Sequence, residues 1–205
     1  MALIYLIRHG ETEYNRLSKY CGSSDIPLNK KGKSQSAQLQ RRFRNIKPGF
    51  VYSSDLMRTK ETASIVFPKY KDKIITSAAL SELDFGRWEG MTYEQITAKY
   101  KKAYEAWIDK PTLSKPPGGE GFLSLERRVK KFFATIITNL TTETETVAIV
   151  SSKAPLKIVL YTALGGSSKM FWRFNIDSAG VSVVECYEGK LFVHAINDTS
   201  HLKNI

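Results

Sequence analysis

Leu3-Ile4-Tyr5-Leu6-Ile7 runs without a spacer into Arg8-His9-Gly10-Glu11-Thr12, and this junction decides how the chain is read. A short continuous apolar run that stops at polar and glycine residues has the form of a strand buried on both faces, as strands are in parallel sheets. Runs of the same kind lie at Phe50 to Tyr52, Val147 to Val150 and Val181 to Tyr187. Between them the apolar spacing is helical: after Asn29 with Leu39, Phe43 and Ile46 inward, and after Asp55 with Ala63, Ile65 and Val66 inward. It is helical again from about Thr92 to Ile108, Leu123 to Leu140 and Pro155 to Leu164. Alternating strands and helices predict an α/β fold, a three-layer sandwich with a mostly parallel central sheet and helices on both faces. The last runs, Val181 to Tyr187 and Leu191 to Ile196, are joined across Glu188-Gly189. They predict a hairpin that gives the sheet one antiparallel edge strand.

The chain of 205 residues is read as a single domain spanning 1–205. Lys110 to Gly121 carries Pro111, Pro116, Pro117, Gly118 and Gly119 between two helical patterns. Both patterns need the sheet to bury their apolar faces, so 84–121 is expected to form a lid of helix and loop rather than a linker. Hydrophobic residues at 42% and charged residues at 25% make a globular composition, which excludes disordered and fibrous classes. Cys21 and Cys186 are too few and too far apart for a disulfide scaffold or a four-ligand zinc site, and a reducing, cytoplasmic setting fits them. The apolar run Ala2 to Ile7 is too short for a signal peptide or a membrane span, so no membrane partner is expected.

The net charge of +11 invites an anionic partner. The basic residues are spread along amphipathic segments, however. Arg127-Arg128 and Lys130-Lys131 interleave with Leu125, Val129 and Phe132 and read as the polar face of a helix, not as a nucleic-acid surface. A small anionic substrate is the expected partner, and a homodimer is left open. Trp88, Tyr93, Tyr100, Tyr104 and Trp107 read either as core or as the walls of a pocket for an aromatic group.

Ligands of open parallel sheets bind at the carboxyl ends of the strands. After the first strand come Arg8, His9 and then Asn15; after the second, Ser53-Ser54-Asp55 and Arg58; after Ile74 to Leu80, Glu82; after Val147 to Val150, Ser151-Ser152-Lys153. The set suits phosphoryl transfer. A neutral imidazole is a competent nucleophile near pH 7, guanidiniums offer forked donors to phosphoryl oxygens, and one carboxylic acid protonates the departing oxygen. No Walker loop, Gly-x-Gly-x-x-Gly or acidic metal cluster accompanies it, so neither a kinase nor a nucleotide-dependent dehydrogenase is supported and no metal or other cofactor is expected. Taken singly, an Arg or Glu at a strand end reads as a surface ion pair. It is their convergence on one rim that points to a site.

The run Arg8-His9-Gly10-Glu11-Thr12 with Asn15, together with Ser53-Ser54, Arg58, Thr62-Ala63, Glu82, Gly86 and Trp88-Glu89-Gly90, resembles the histidine phosphatase (phosphoglycerate-mutase-like) superfamily over nearly the whole chain. Gly22 with Asp25 to Leu28, Pro117 to Glu120 and Asn197 to Leu202 are most similar to its alpha-ribazole phosphatase branch, which acts late in cobalamin nucleotide-loop assembly. The resemblance implies a metal-independent phosphomonoesterase with a phosphohistidine intermediate. It makes His9 the nucleophile, gives Arg8, Asn15 and Arg58 the phosphoryl oxygens, and makes Glu82 the general acid. Ser23 or Ser24 would add a hydroxyl contact.

The chain departs from that family after the fourth strand, where Ser152 stands in place of a second histidine. Ser152 keeps a neutral hydrogen bond but not a positive charge. Lys153 is expected to face away from it, because neighbours on a strand point to opposite faces. The other histidines, His194 and His201, fall in the last strand and the C-terminal motif, not at the expected place. The implied function is therefore an alpha-ribazole-5′-phosphate phosphatase weakened at Ser152. The alternatives are a broad-range small-molecule phosphatase and a phosphate-ligand binding module that has lost turnover.

Overall fold

The computed structural model describes residues 1–140 and 145–203. In chain order the elements are β1 (Ala2–Arg8), α1 (Glu13–Arg16), α2 (Lys30–Arg42), β2 (Phe50–Ser53), α3 (Met57–Val66), β3 (Ile75–Thr76), α4 (Tyr93–Asp109), α5 (Phe122–Asn139), β4 (Thr146–Ser151), α6 (Lys153–Ala163), β5 (Val181–Tyr187) and β6 (Lys190–Asp198). The sheet order is β3-β2-β4-β1-β5-β6. β1, β2, β3 and β4 are mutually parallel, while β5 runs antiparallel to β1 and β6 antiparallel to β5. The expected α/β sandwich with an antiparallel edge is what forms. Glu188 and Gly189 both take positive φ, 48° and 73°, as a tight two-residue hairpin turn requires.

Period-two alternation along the strands sends side chains to two cores. Ile4, Leu6, Val147 and Ile149 meet the apolar stripe Phe122, Leu125, Val129, Phe133 and Ile136 of α5, together with α6. Ile7, Val51, Ala148 and Val150 meet Leu39 and Phe43, and Ala63 and Val66 of α3, on the other face. Side-chain caps set where the helices begin: Asn29 accepts from the N–H of Gly32 at 2.8 Å, and Thr92 with Gln95 forms a capping box on α4.

Strand direction determines the rim. β1, β2 and β4 all end there; β5, being antiparallel, begins there, and β6 returns to it. The rim is therefore built from three parallel strand ends on one side and a reversed hairpin on the other. The end of the Lys110 to Gly121 segment is tied to residues 84–87. The Pro117 carbonyl accepts from the N–H of Arg87 at 2.9 Å, and the N–H of Glu120 donates to the Asp84 carbonyl at 2.9 Å. Gly119 sits so close that a Cβ would lie 2.4 Å from the Asp84 oxygen. Among the described residues no helix is long and apolar enough to cross a membrane.

Candidate active site

The end of β1 carries two side chains to the rim. Arg8 is buried, its Nη1 donating to the Ile176 carbonyl at 2.8 Å. The backbone of His9 is fixed on both sides, with its N–H donating to the Ser151 carbonyl at 3.0 Å and its own carbonyl accepting from the N–H of Ala179 at 3.1 Å. Gly10 has to be glycine, since a Cβ there would lie 2.4 Å from the carbonyl oxygen of Gly32 in the first turn of α2. The Gly10 carbonyl lies 2.7 Å from His9 Nδ1. A carbonyl can only accept, so Nδ1 carries the proton and Nε2 keeps its lone pair. Burial, then the charges of Arg58 and Arg8, hold the His9 pKa well below the ordinary histidine value, and Lys153 adds in the same direction. The imidazole is neutral at pH 7 and has its nucleophilic nitrogen uncommitted.

Arg58, on the first turn of α3, is fully buried. Its Nη1 donates to the Ser24 carbonyl at 2.8 Å and its Nη2 to the Gly22 carbonyl at 2.7 Å, so it braces the 22–24 loop. The same loop is held from the other side by the Glu89 carboxylate, which accepts from the N–H groups of Gly22, Ser23 and Ser24 at 2.9 to 3.2 Å. Glu89 also takes the Ser24 hydroxyl, while the Ser23 hydroxyl donates to Asp84 at 3.0 Å. The hydroxyl contact expected from Ser23 or Ser24 is thus not in place: both hydroxyls are used to anchor the loop. Asn15 does line the cleft. Its Oδ1 accepts from the N–H of Thr12 at 3.0 Å, which leaves the amide Nδ2 as the end available to a bound group.

Arg8 Nε, Arg58 Nε and Ser152 Oγ are buried without a hydrogen-bond partner among the described residues. Such orphaned donors cost about 1–3 kcal/mol each when left unpaired, and the two arginines, whose charges act on the neutral His9 ring, suit a tetrahedral anion. In front of them opens a cleft of about 760 Å³ lined by Arg8, Asn15, Glu82, Lys153 and Asp177 among others. His9, Arg58 and Ser152 are buried, and the charges of Arg58, Arg8 and Lys153 all act on His9. No group of three His, Cys, Asp or Glu side chains that could hold a metal ion occurs among the described residues.

Glu82 is fixed by backbone donors: Oε1 accepts from its neighbour Leu83 at 2.8 Å, and Oε2 from the N–H of Ala154 at 3.2 Å, in the first turn of α6. A helix N-terminus is a favourable place for a carboxylate. The loop that presents it is held by Arg128, which donates to the carbonyls of Ser81 at 2.7 Å and Glu82 at 3.0 Å and pairs with Glu120 at 2.8 Å. The sequence reads Arg128 as part of a solvated face. Its spacing from Leu125 and Val129 cannot reveal that it reaches across to another segment.

The β4 end differs from expectation. β4 stops at Ser151, Ser152 is the N-cap of α6 with a buried hydroxyl that makes no cap bond, and Lys153 is the first helical residue. Strand alternation therefore does not apply between Ser152 and Lys153, and Lys153 lines the cleft with Arg8 and Glu82 instead of facing away. Burial and the charge of Arg8 lower its pKa. His194 pairs with Glu185 at 2.5 Å on the exposed hairpin, and His201 stacks its Nδ1 3.3 Å from Arg42, so neither lines the cleft. Sequence reasoning also missed Asp177, Thr199, Leu202 and Lys203, which line the far wall. They precede β5 or follow β6. Looking before the antiparallel strand β5 finds Asp177, and looking after β6, which runs back to the rim, finds the other three.

Fold and site together define an α/β enzyme that handles a phosphoryl group at the carboxyl rim of a parallel sheet. Residues 4–199 match the histidine phosphatase superfamily (branch 1). The chain belongs to that family and is a phosphoric monoester hydrolase. It is 31% identical to phosphoserine phosphatase 1 of Hydrogenobacter thermophilus over 98% of this chain and 95% of that protein. It is 28% identical to the adenosylcobalamin/alpha-ribazole phosphatase of Salmonella typhimurium over 95% of each. The crystal structure of the alpha-ribazole phosphatase from Shigella flexneri superposes with a TM-score of 0.89 at 26% identity, covering 96% of both chains.

Proposed function

We propose that the chain hydrolyses a small phosphomonoester through a phosphohistidine at His9, with alpha-ribazole 5′-phosphate as the leading substrate. The observation that carries the mechanism is the tautomer of His9, neutral and with Nε2 free, set among the orphaned donors of Arg8 and Arg58. Nε2 attacks phosphorus in line, the ester P–O bond breaks, and Glu82 gives its proton to the leaving oxygen. Glu82, now a carboxylate, takes a proton from water as that water attacks phosphorus, and the P–N bond breaks to return neutral His9 and phosphate. Arg8, Arg58 and Asn15 hold the equatorial oxygens. Lys153 supplies, from the first turn of α6, the positive charge that Ser152 lacks.

The substrate rests on the Salmonella relative and the Shigella structure, whose names carry alpha-ribazole. A second reading, a phosphatase of phosphoserine or similar small esters, is favoured by the Hydrogenobacter relative. Comparing kcat/KM for alpha-ribazole phosphate, phosphoserine and sugar phosphates tests the choice, with alpha-ribazole phosphate expected to lead. A higher value for phosphoserine would replace the first reading by the second, and tight binding of all esters without phosphate release would mean a binding module. A cytoplasmic setting belongs to this reading and rests on Cys21 and Cys186 as free thiols.

A further inference from the structure

A smaller chamber of about 180 Å³ opens off the cleft and shares Tyr20, Glu82, Phe85 and Lys153 with it. Half of its remaining wall is aromatic, with Tyr104 and Trp107 from α4 and Phe171 and Trp172 from the segment after α6. The rings meet edge to face, Tyr20 with Phe85 at 5.0 Å and Trp107 with Trp172 at 5.7 Å between centroids. Its volume is that of roughly six waters, the space of one substituted aromatic ring. The aromatic residues of the sequence divide by position: Trp88 and Trp107 belong to the core, Tyr100 and Tyr104 pack against it, Tyr93 is exposed, and Tyr104 and Trp107 also wall the chamber.

At the end of the chamber lies Lys157, one helical turn beyond Lys153 on the same face of α6. Its ammonium donates to the Phe171 carbonyl at 3.0 Å and sits 5.0, 5.6 and 5.9 Å from the ring centroids of Phe171, Trp172 and Phe174. Among the described residues no carboxylate pairs with it. An ammonium has three donors, and a buried one without an acidic partner is unusual.

We infer that this chamber takes an aromatic ring of the leaving group, with Lys157 donating to an anionic or hydrogen-bond-accepting substituent on that ring. The inference rests on the phosphatase reading, in which Glu82 protonates the leaving oxygen and so marks the side of the cleft where the leaving group lies. The chamber adjoins Glu82 on that side. Aromatic walls select a ring over a polyol, and Lys157, which lines the chamber but not the cleft that Lys153 shares, selects among rings.

Phenyl phosphate and 3-carboxyphenyl phosphate form a matched pair, because the phosphoryl machinery is common to both and cancels in the ratio of their kcat/KM values. In the full chain at pH 7 the carboxylated ester is expected to lead by about tenfold, the effect of one charge-assisted hydrogen bond. Lys157→Met should bring the ratio close to one, while Lys153→Met should slow both esters and leave most of the ratio. Burial and the charges of Lys153 and Arg8, opposed by Glu82, bring Lys157 down to about 8. The ratio should accordingly shrink between pH 7 and pH 9 in the unsubstituted protein, a readout that does not depend on a variant folding. A ratio that is unchanged in Lys157→Met, or that is flat with pH, would overturn the subsite while leaving the phosphatase reading intact. Absence of turnover on both esters would overturn that reading and the subsite with it.

Discussion

β1 and β4 are neighbours in register, Arg8 opposite Ser151, and each hands the chain from a strand to the rim, yet they equip it differently. At the β1 end each residue is held by backbone contacts: His9 by Ser151 and Ala179, its ring by the Gly10 carbonyl, Arg8 by Ile176. At the β4 end Ser152 is buried with a hydroxyl that has no partner among the described residues, and it is Lys153, one residue later, that lines the cleft. The first end holds the His9 ring neutral with Nε2 free. The second is built to bring positive charge into the cleft from a more exposed position. Where a strand passes into a helix at the rim, the turn and not strand alternation decides which side chain reaches the cleft, and here it brings in the cation of Lys153.

The largest expected effect lies at the braced side. Arg58→Met should remove two charged hydrogen bonds to the 22–24 loop as well as a phosphoryl ligand. A cost of about 3 kcal/mol, or a fall in Tm of about 6–12 °C, should accompany the loss of activity. An unchanged Tm would mean that Arg58 does not brace the loop.

Next comes the unbraced side. Lys153→Met should lower kcat by about one to two decades with little change in Tm, since a charge that matters as negative charge develops appears in kcat. Ser152→His should give no comparable gain. It forces a larger ring into a fully buried site, at about 1–3 kcal/mol of stability. The opposite pair of results, a gain from Ser152→His and no loss from Lys153→Met, would make the β4 end a damaged copy of the family pattern and nothing more.

A smaller effect is expected at Arg128, which positions Glu82 without touching substrate. Arg128→Met should slow esters with poor leaving groups by about tenfold and activated aryl esters less, with partial rescue by Arg128→Lys. Equal losses on both kinds of ester would indicate a purely structural role.

The smallest effect separates the two ends by pH. Folded His9 stays neutral well below the pH at which the unfolded chain, with an ordinary histidine near 6.5, takes up a proton. The unfolded state then binds more protons, so stability falls as pH drops below about 6.5. Thermal unfolding between pH 7.5 and 5 should show this slope, and His9→Asn should flatten it. A slope unchanged by His9→Asn would place the titrating group elsewhere.

The sheet, its antiparallel edge and five helices were legible because apolar period and turn residues are local properties. Arg8, Asn15 and Glu82 were legible as lining the rim for a related reason, since each follows closely on a strand or segment that ends there. What escaped was set by direction and reach. Asp177 lies before a reversed strand, Arg128 crosses from α5 to the Glu82 loop, and the fate of the Ser23 hydroxyl depends on Asp84, far away in sequence. Lys153 was misplaced because the sequence does not show whether β4 ends at Ser151 or one residue later, and that single residue decides between strand alternation and helical geometry.

The central claim is that His9, held neutral with Nε2 free, is the group that takes the phosphoryl. Rapid mixing of the protein with a phosphorus-labelled aryl ester, followed by alkaline quench and peptide mass spectrometry, reads it directly. An acid-labile phosphoryl group is expected on the peptide containing His9, formed as fast as the alcohol is released and absent in His9→Asn. Alcohol release with no label on His9, or label that persists in His9→Asn, would contradict it.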